Sequence, residues 1–201
     1  MAEEILNKEI AEKLMAIKGE ARGVHFVNDY NYLIDKWGEA GVKKVEFELE
    51  NVGAPIKYKE VRNMDFYPAG LRAISLLAIK KTFQLDDKGI YNLCQHAAAI
   101  SMIVKLYMKF FYSIDRVLEK IPKIWDDYFT EGTMAVKEHN EKEKQIILRI
   151  ENLDLDPTYC RCLEGFFCNL AKMIGNNKNA SCREIKCVFS GADGHEFLIN
   201  Y

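Results

Sequence analysis

Four side chains near the end of the sequence are of the types that bind a transition metal. They are Cys160, Glu184, Cys187 and His195. Thiolate, imidazole and carboxylate groups suit zinc, and four protein ligands close a tetrahedral structural site without leaving a position for substrate. Cys187 and His195 flank a short segment that contains Gly191, which would let the chain fold back. The pattern therefore predicts a structural zinc site rather than a catalytic one.

The secondary structure around these residues restricts how they could meet. Cys160 lies near the start of a predicted helix, where the helix dipole favours a thiolate. Glu184 and Cys187 would point to opposite faces of a regular strand, so Glu184 can join the site only if the strand bends or bulges. Cys162 is on roughly the opposite side of the helix from Cys160 and is not expected to share the metal. The alternative is a set of buried cysteines without metal.

Composition indicates one folded domain without a nucleic-acid partner. The chain has 201 residues, of which 49% are hydrophobic and 29% charged, and its net charge is −2. It can bury a core, and it shows no stripe of basic residues that would bind nucleic acid. The longest apolar run, 97–104, is too short to span a membrane, and the N-terminus is charged and amphipathic. We expect a cytoplasmic protein with no disulfide framework, although it has six cysteines.

The order of predicted elements indicates an α+β fold. Apolar residues recur at helical spacing over 3–18, 68–83, 86–101 and 101–113, and glycines divide 23–51 into helical pieces. The chain from 133 onward then predicts a hairpin, a helix starting at Pro157, and two strands at about 182–190 and 195–201. The expected architecture is a helical N-terminal half packed on a small antiparallel sheet, with a hairpin–helix–hairpin C-terminal half.

The C-terminal motif resembles that of a known family. The sequence reads Cys160-x4-Gly165-Phe166 and then Glu184-x2-Cys187-x3-Gly191-x3-His195. This resembles the end of the 4-vinyl-reductase domain, also called the hydrocarbon-binding domain. The family usually has cysteine at the position of His195, which zinc also accepts. A second family glycine is replaced by Asn169.

The resemblance implies a fold, a ligand class and a metal. The family is similar to the sensor domain of phenol-responsive activators, to vesicle-tethering TRAPP subunits and to haem-NO-binding domains. It implies a stand-alone domain, 21–201, that holds a hydrophobic or aromatic molecule, with zinc in a structural role. It also implies a homodimer, with the N-terminal helix in 1–20 as the candidate contact.

Aromatic side chains could line such a pocket, although ordinary core packing is the simpler explanation without the resemblance. The candidates are Phe66, Tyr67, Tyr107, Phe110, Phe111, Trp125, Tyr128, Phe129 and Phe167.

Three other functions remain open. A haem-based gas or redox sensor on the related fold would use His25, His96 or His139 as an iron ligand. An enzyme of tetrapyrrole or aromatic metabolism is less favoured, because no nucleophile–base motif and no glycine-rich phosphate loop is present. A structural assembly subunit would lack a cavity of ligand size.

Overall fold

The structure, a computed structural model, describes residues 5–100, 114–174 and 176–201. Its helices are α1 (Lys8–Met15), α2 (Val24–Asn51), α3 (Ala69–Thr82), α4 (Asp87–Ile100), α5 (Ile114–Asp126) and α6 (Pro157–Ile174). Its strands are β1 (Glu20–Arg22), β2 (Phe66–Pro68), β3 (Thr133–Asn140), β4 (Gln145–Glu151), β5 (Ser181–Lys186) and β6 (His195–Asn200). The predicted α+β architecture is confirmed, with helices first and most strands in the C-terminal half.

The C-terminal strands form a four-stranded antiparallel sheet in the order β3-β4-β6-β5. Alternate residues of β4 are buried, namely Ile146, Leu148 and Ile150, so one face of the sheet points into the core. Helix α6 packs against that face, where the Phe167 and Phe197 ring centroids are 5.3 Å apart. A separate two-stranded sheet pairs β1 with β2. The predicted hairpin–helix–hairpin order is present.

Helix α2 is divided at one of the predicted glycines. Gly38 has the non-helical backbone angles φ 63° and ψ −169°, so α2 consists of two helical pieces joined at a kink, as predicted, while Gly41 lies within the second piece. Glycine adopts this conformation at little cost. The N-terminal helix is shorter than predicted, because the Asn7 side chain caps its start by accepting a hydrogen bond from the Ile10 amide at 2.9 Å.

Helix α1 lies directly on the beginning of α3. A Cβ atom added at Gly70 would be 1.9 Å from the Leu14 carbonyl oxygen, so the two backbones touch. The division into 1–20 and 21–201, and the dimer contact in the first segment, stay predictions. Among the helices of the described ranges, none has the length and apolar character needed to cross a bilayer.

The closest approach relevant to the site is between α4 and α6. A Cβ atom at Gly165 would lie 2.1 Å from the carbonyl oxygen of Tyr91. Only glycine allows this backbone contact, which explains physically why the motif has glycine five residues after Cys160. The contact fixes the position of α6, and therefore of the side chains that α6 carries.

We expect Gly165→Ala to destabilise the protein by about 1–3 kcal/mol, because the added methyl group forces two packed helices apart. Urea unfolding monitored by circular dichroism measures the change. Gly89→Ala on α4 is the matched control, since the three nearest atoms to its Cβ are side-chain atoms of Leu85, 2.9–3.4 Å away, and none belongs to the backbone of a packed neighbour. Equal unfolding midpoints for Gly165→Ala and the unmodified chain would contradict the close contact.

Candidate metal centre and ligand cavity

The structure brings the four predicted metal ligands together. One ligand atom from each of Cys160, Glu184, Cys187 and His195 lies within 4.8 Å of all the others. The Cys160 sulphur is 3.9 Å from the Cys187 sulphur and 3.6 Å from His195 Nδ1. Tetrahedral zinc with ordinary bond lengths would separate two sulphur atoms by about 3.8 Å and a sulphur from a nitrogen by about 3.6 Å. These spacings fit one metal ion.

Each ligand is positioned by a different local feature. Cys160 lies in the first turn of α6, and His195 is the first residue of β6. The pairing of β5 with β6 is irregular between Glu184 and Lys186, which is the bulge that Glu184 needs in order to reach the cluster. The turn between Cys187 and His195 passes through Gly191, whose φ is +89°.

Neighbouring charged groups orient two of the ligands. Arg161 Nη2 is 2.7 Å from Glu184 Oε2, which leaves Oε1 facing His195 Nδ1 at 2.8 Å. His195 Nε2 is 3.5 Å from Asp154 Oδ1, an outer contact of the kind that fixes the ring of a ligating histidine. With zinc and two thiolates the cluster would carry one net negative charge, which Arg161 offsets.

The pKa shifts place an ionised carboxylate beside a neutral thiol in the metal-free cluster. Burial, followed by the charge of Glu184, raises the pKa of the Cys160 thiol well above its usual range. Burial also opposes ionisation of Glu184, but its hydrogen bonds with His195 and Cys160 outweigh this and lower its pKa. The Cys160 thiolate therefore needs a compensating positive charge, which a metal ion supplies.

A second feature is an apolar cavity between the helices and the sheet, with an empty volume of about 620 Å³ including its open side. Apolar walls with a few polar groups are typical of small-molecule sites. Of the predicted aromatic residues, Trp125, Tyr128, Phe129 and Phe167 line it. The remaining aromatic lining comes from Tyr159 and Phe166 on α6, which the sequence-based prediction did not include.

The other predicted lining residues are elsewhere. Phe66 and Tyr67 belong to β2, where the Arg22 guanidinium lies 4.2 Å from the Phe66 ring centroid and Tyr67 packs on Phe26. Tyr67 borders a different, more open groove. The physical reason is that β2 pairs with β1 in the separate two-stranded sheet, where these rings contact Arg22 and Phe26. Tyr107, Phe110 and Phe111 lie outside the described residues.

The cavity also has a polar side formed by His25, Asn28 and Arg72. The His25 ring is partly exposed overall, but its Nε2 atom is shielded from solvent and has no hydrogen-bond partner among the described residues. Burial, and then the charge of Arg72, lowers the pKa of His25 well below its usual range, so the imidazole is neutral at pH 7. Its ring lies between those of Tyr128 and Phe129, at 5.2 and 5.1 Å.

The other two histidines considered as haem ligands have partners outside the cavity. His96 Nε2 is 3.4 Å from Asp35 Oδ2, too poorly aligned for a hydrogen bond. His139 Nε2 is 2.9 Å from the Tyr201 hydroxyl at the sheet edge. Of the histidines considered for haem, His25 alone is a lining residue of this cavity.

A second apolar space of about 460 Å³ lies between α5, α6 and the sheet. Phe167 and Leu170 line both this space and the larger cavity, so the two spaces meet at these side chains. The helix–sheet interface therefore contains two neighbouring apolar spaces.

The wall of the larger cavity contains a disulfide that differs from the sequence-based expectation. Cys94 on α4 and Cys162 on α6 are bonded, with Cα atoms 5.1 Å apart, although they are 68 residues apart in the chain. Cys160 and Cys162 therefore do face different partners, as the helical geometry predicted. Cys168 and Cys182 are buried free thiols.

Comparison with known proteins identifies the fold. No family model matches the chain, and no curated protein matches it. An H-NOX protein from Shewanella oneidensis, solved in the Fe(II)NO ligation state, is 14% identical with a TM-score of 0.65, covering 89% of this chain and 98% of that one. The unliganded Fe(II) H-NOX protein from K. algicida is 17% identical with a TM-score of 0.60, covering 89% and 95%.

This chain has the H-NOX fold. The resemblance noted in the sequence implied a relation to haem-NO-binding domains, and that fold relation is confirmed. The 4-vinyl-reductase family itself is not matched. At these identities the H-NOX likeness establishes the architecture, while the ligand has to be argued from the residues of this chain.

Proposed function

We propose that this chain is a sensor domain that binds haem in the aromatic cavity, as the H-NOX proteins of similar fold do. The observation that carries the proposal is the unpartnered Nε2 atom of His25 in the cavity wall. A neutral imidazole with a free nitrogen is the commonest protein ligand of haem iron.

The residues of the cavity fit the group in two respects. Trp125, Tyr128 and Phe129 supply flat apolar surface, while His25 supplies one nitrogen donor. When bound, haem would supply an iron atom that takes a diatomic gas as a further ligand. The contribution of this chain is to hold the ring system away from water and to present His25, whose ring position is fixed between two aromatic rings.

Titration of the purified chain with hemin tests the proposal. We expect saturable binding with a sharp absorption band near 400 nm. His25→Ala should weaken hemin affinity at least tenfold, about 1.4 kcal/mol, because the iron loses its protein nitrogen. His96→Ala is the matched control and should leave both the affinity and the band unchanged.

Two outcomes would contradict the haem proposal. One is the absence of saturable binding by the unmodified chain. The other is an identical spectrum and affinity for His25→Ala, which would mean that hemin associates with apolar surface rather than with this histidine.

A second candidate is a sensor for an apolar or aromatic molecule without iron. The two apolar spaces that share Phe167 and Leu170 as lining residues support it, since apolar walls suit an apolar molecule. His25 would then hydrogen-bond a polar group of the ligand. Failure to bind hemin, combined with saturable quenching of Trp125 fluorescence by phenol, would favour this candidate.

We also propose that Cys160, Glu184, Cys187 and His195 hold a structural zinc ion in either case. The inter-ligand distances and the half-buried anionic character of the cluster support this proposal. Four protein ligands leave no coordination position for substrate. The ion would fasten α6 to the end of the sheet and so support one wall of the cavity.

A further inference from the structure

The Cys94–Cys162 disulfide lies in an unusual place for a purely structural cross-link. Both residues line the apolar cavity, with side chains 1% and 5% exposed. The Cα separation of 5.1 Å is ordinary for a disulfide. The bond therefore lies in the buried core, at the wall of the internal cavity.

A positive charge adjoins both sulphur atoms. Arg72 Nη2 is 3.5 Å from the Cys162 sulphur and 3.8 Å from the Cys94 sulphur, while Nη1 pairs with Asp29. A guanidinium near the Cys94 sulphur favours the leaving thiolate there when the disulfide is reduced. The buried ion pair with Asp29 holds Arg72 in this place beside the disulfide.

We propose that Cys94 and Cys162 form a reversible thiol–disulfide site that exchanges with small thiols and disulfides through the cavity. The first small thiolate attacks the Cys162 sulphur, and the bonding electron pair leaves on the Cys94 sulphur beside Arg72. A second small thiolate attacks the small-molecule sulphur of the mixed disulfide and releases Cys162. Two small thiols are oxidised to one small disulfide, the protein disulfide is reduced, and the two thiol protons end on Cys94 and Cys162.

The redox state should alter the shape of the cavity. Reduction breaks the bond between the two sulphur atoms. Non-bonded heavy atoms lie roughly 3.5–4.0 Å apart, so the sulphur atoms must move away from each other. The contact of Gly165 with Tyr91 one turn further along α6 restricts movement at that end. We therefore expect the side chains of the cavity wall to move when the disulfide is reduced. This change in cavity shape rests on the proposed function only in that a ligand would occupy the same cavity.

The test equilibrates the intact, zinc-supplemented chain with mixtures of reduced and oxidised glutathione. Acid quenching, alkylation and peptide mass spectrometry then give the fraction of Cys94–Cys162 disulfide. We expect one reversible transition that follows the squared concentration of reduced glutathione over that of oxidised glutathione. A disulfide that persists in every mixture, or a pair that never oxidises, would overturn the proposal.

The fluorescence of Trp125 tests the link to the cavity without any ligand. The chain has two tryptophans, so Trp37→Phe leaves Trp125 as the single reporter, and it lines the same cavity. Its emission should change with the same midpoint as the mass-spectrometric transition. The variant that also carries Cys94→Ser and Cys162→Ser should show no transition. Constant Trp125 emission across the redox transition would overturn the link between the disulfide and the shape of the cavity. Neither the mass-spectrometric nor the fluorescence result depends on whether the chain binds hemin.

Discussion

Replacing Cys187 with serine should reduce bound zinc from about one ion per chain to well below half. Serine keeps the size of the side chain but removes the thiolate, which is one of four ligands in the proposed site. Because binding of a structural metal contributes to folding, the melting temperature should fall as well. A loss of about 3 kcal/mol would lower it by roughly 6–12 °C at 2–4 °C per kcal/mol for a chain of this size. Metal analysis and thermal unfolding measure the two effects.

Cys182→Ser is the matched control for this prediction. Cys182 lies on β5 two residues before Glu184, is buried, and is not part of the metal cluster. The Cys182→Ser substitution should lower the stability of the protein, because it buries the serine hydroxyl, while the zinc content should stay unchanged. Equal zinc contents for Cys187→Ser and the unmodified chain would show that the four side chains form a hydrogen-bonded cluster without metal.

The four residues of the candidate metal cluster could be picked out from sequence because three of them are close together in the chain. Glu184, Cys187 and His195 fall within one strand–turn–strand unit, so local spacing carries the information. The condition placed on Glu184, that β5 should bulge, follows from the two-residue period of a strand and matches the irregular pairing. Cys160 could be proposed from its residue type and its place near a helix start, while its contact with the hairpin depends on how α6 packs.

The polar side of the cavity could not be predicted in the same way. His25, Arg72 and Cys94 come from three different helices, and their neighbourhood depends on how those helices cross. A lone histidine, arginine or cysteine in a helix has no spacing signal. The aromatic residues were only partly identifiable, since core packing and cavity lining use the same side chains. Arg72 was the one sequence signal for a polar group in the core. It lies on α3, where the other buried side chains, apart from Ser75, are apolar.

Removing Asp29 should be among the most destabilising single changes in the described part of the chain. Asp29 and Arg72 form an ion pair with 0% and 2% of their side-chain surface exposed. Ser75 donates a hydrogen bond to Asp29 at 2.9 Å, and its hydroxyl is 2.8 Å from that of Tyr58. Asp29→Ala leaves the Arg72 charge buried without its partner, which typically costs about 3–5 kcal/mol. Urea unfolding at pH 7 measures the loss.

Asp35→Ala is the control on the same helix, because the Asp35 side chain is 61% exposed and its removal should change stability by no more than about 0.5 kcal/mol. The double variant Asp29→Ala with Arg72→Met removes both charges and should recover much of the loss, since no unpaired ion remains. A double variant as stable as the unmodified chain would mean that folding does not require the pair. The reason for keeping a guanidinium here would then lie in its contacts with the cavity and with the Cys94 and Cys162 sulphur atoms. A loss below about 1 kcal/mol for Asp29→Ala alone would instead show that Arg72 is solvated through the cavity, contrary to its buried position.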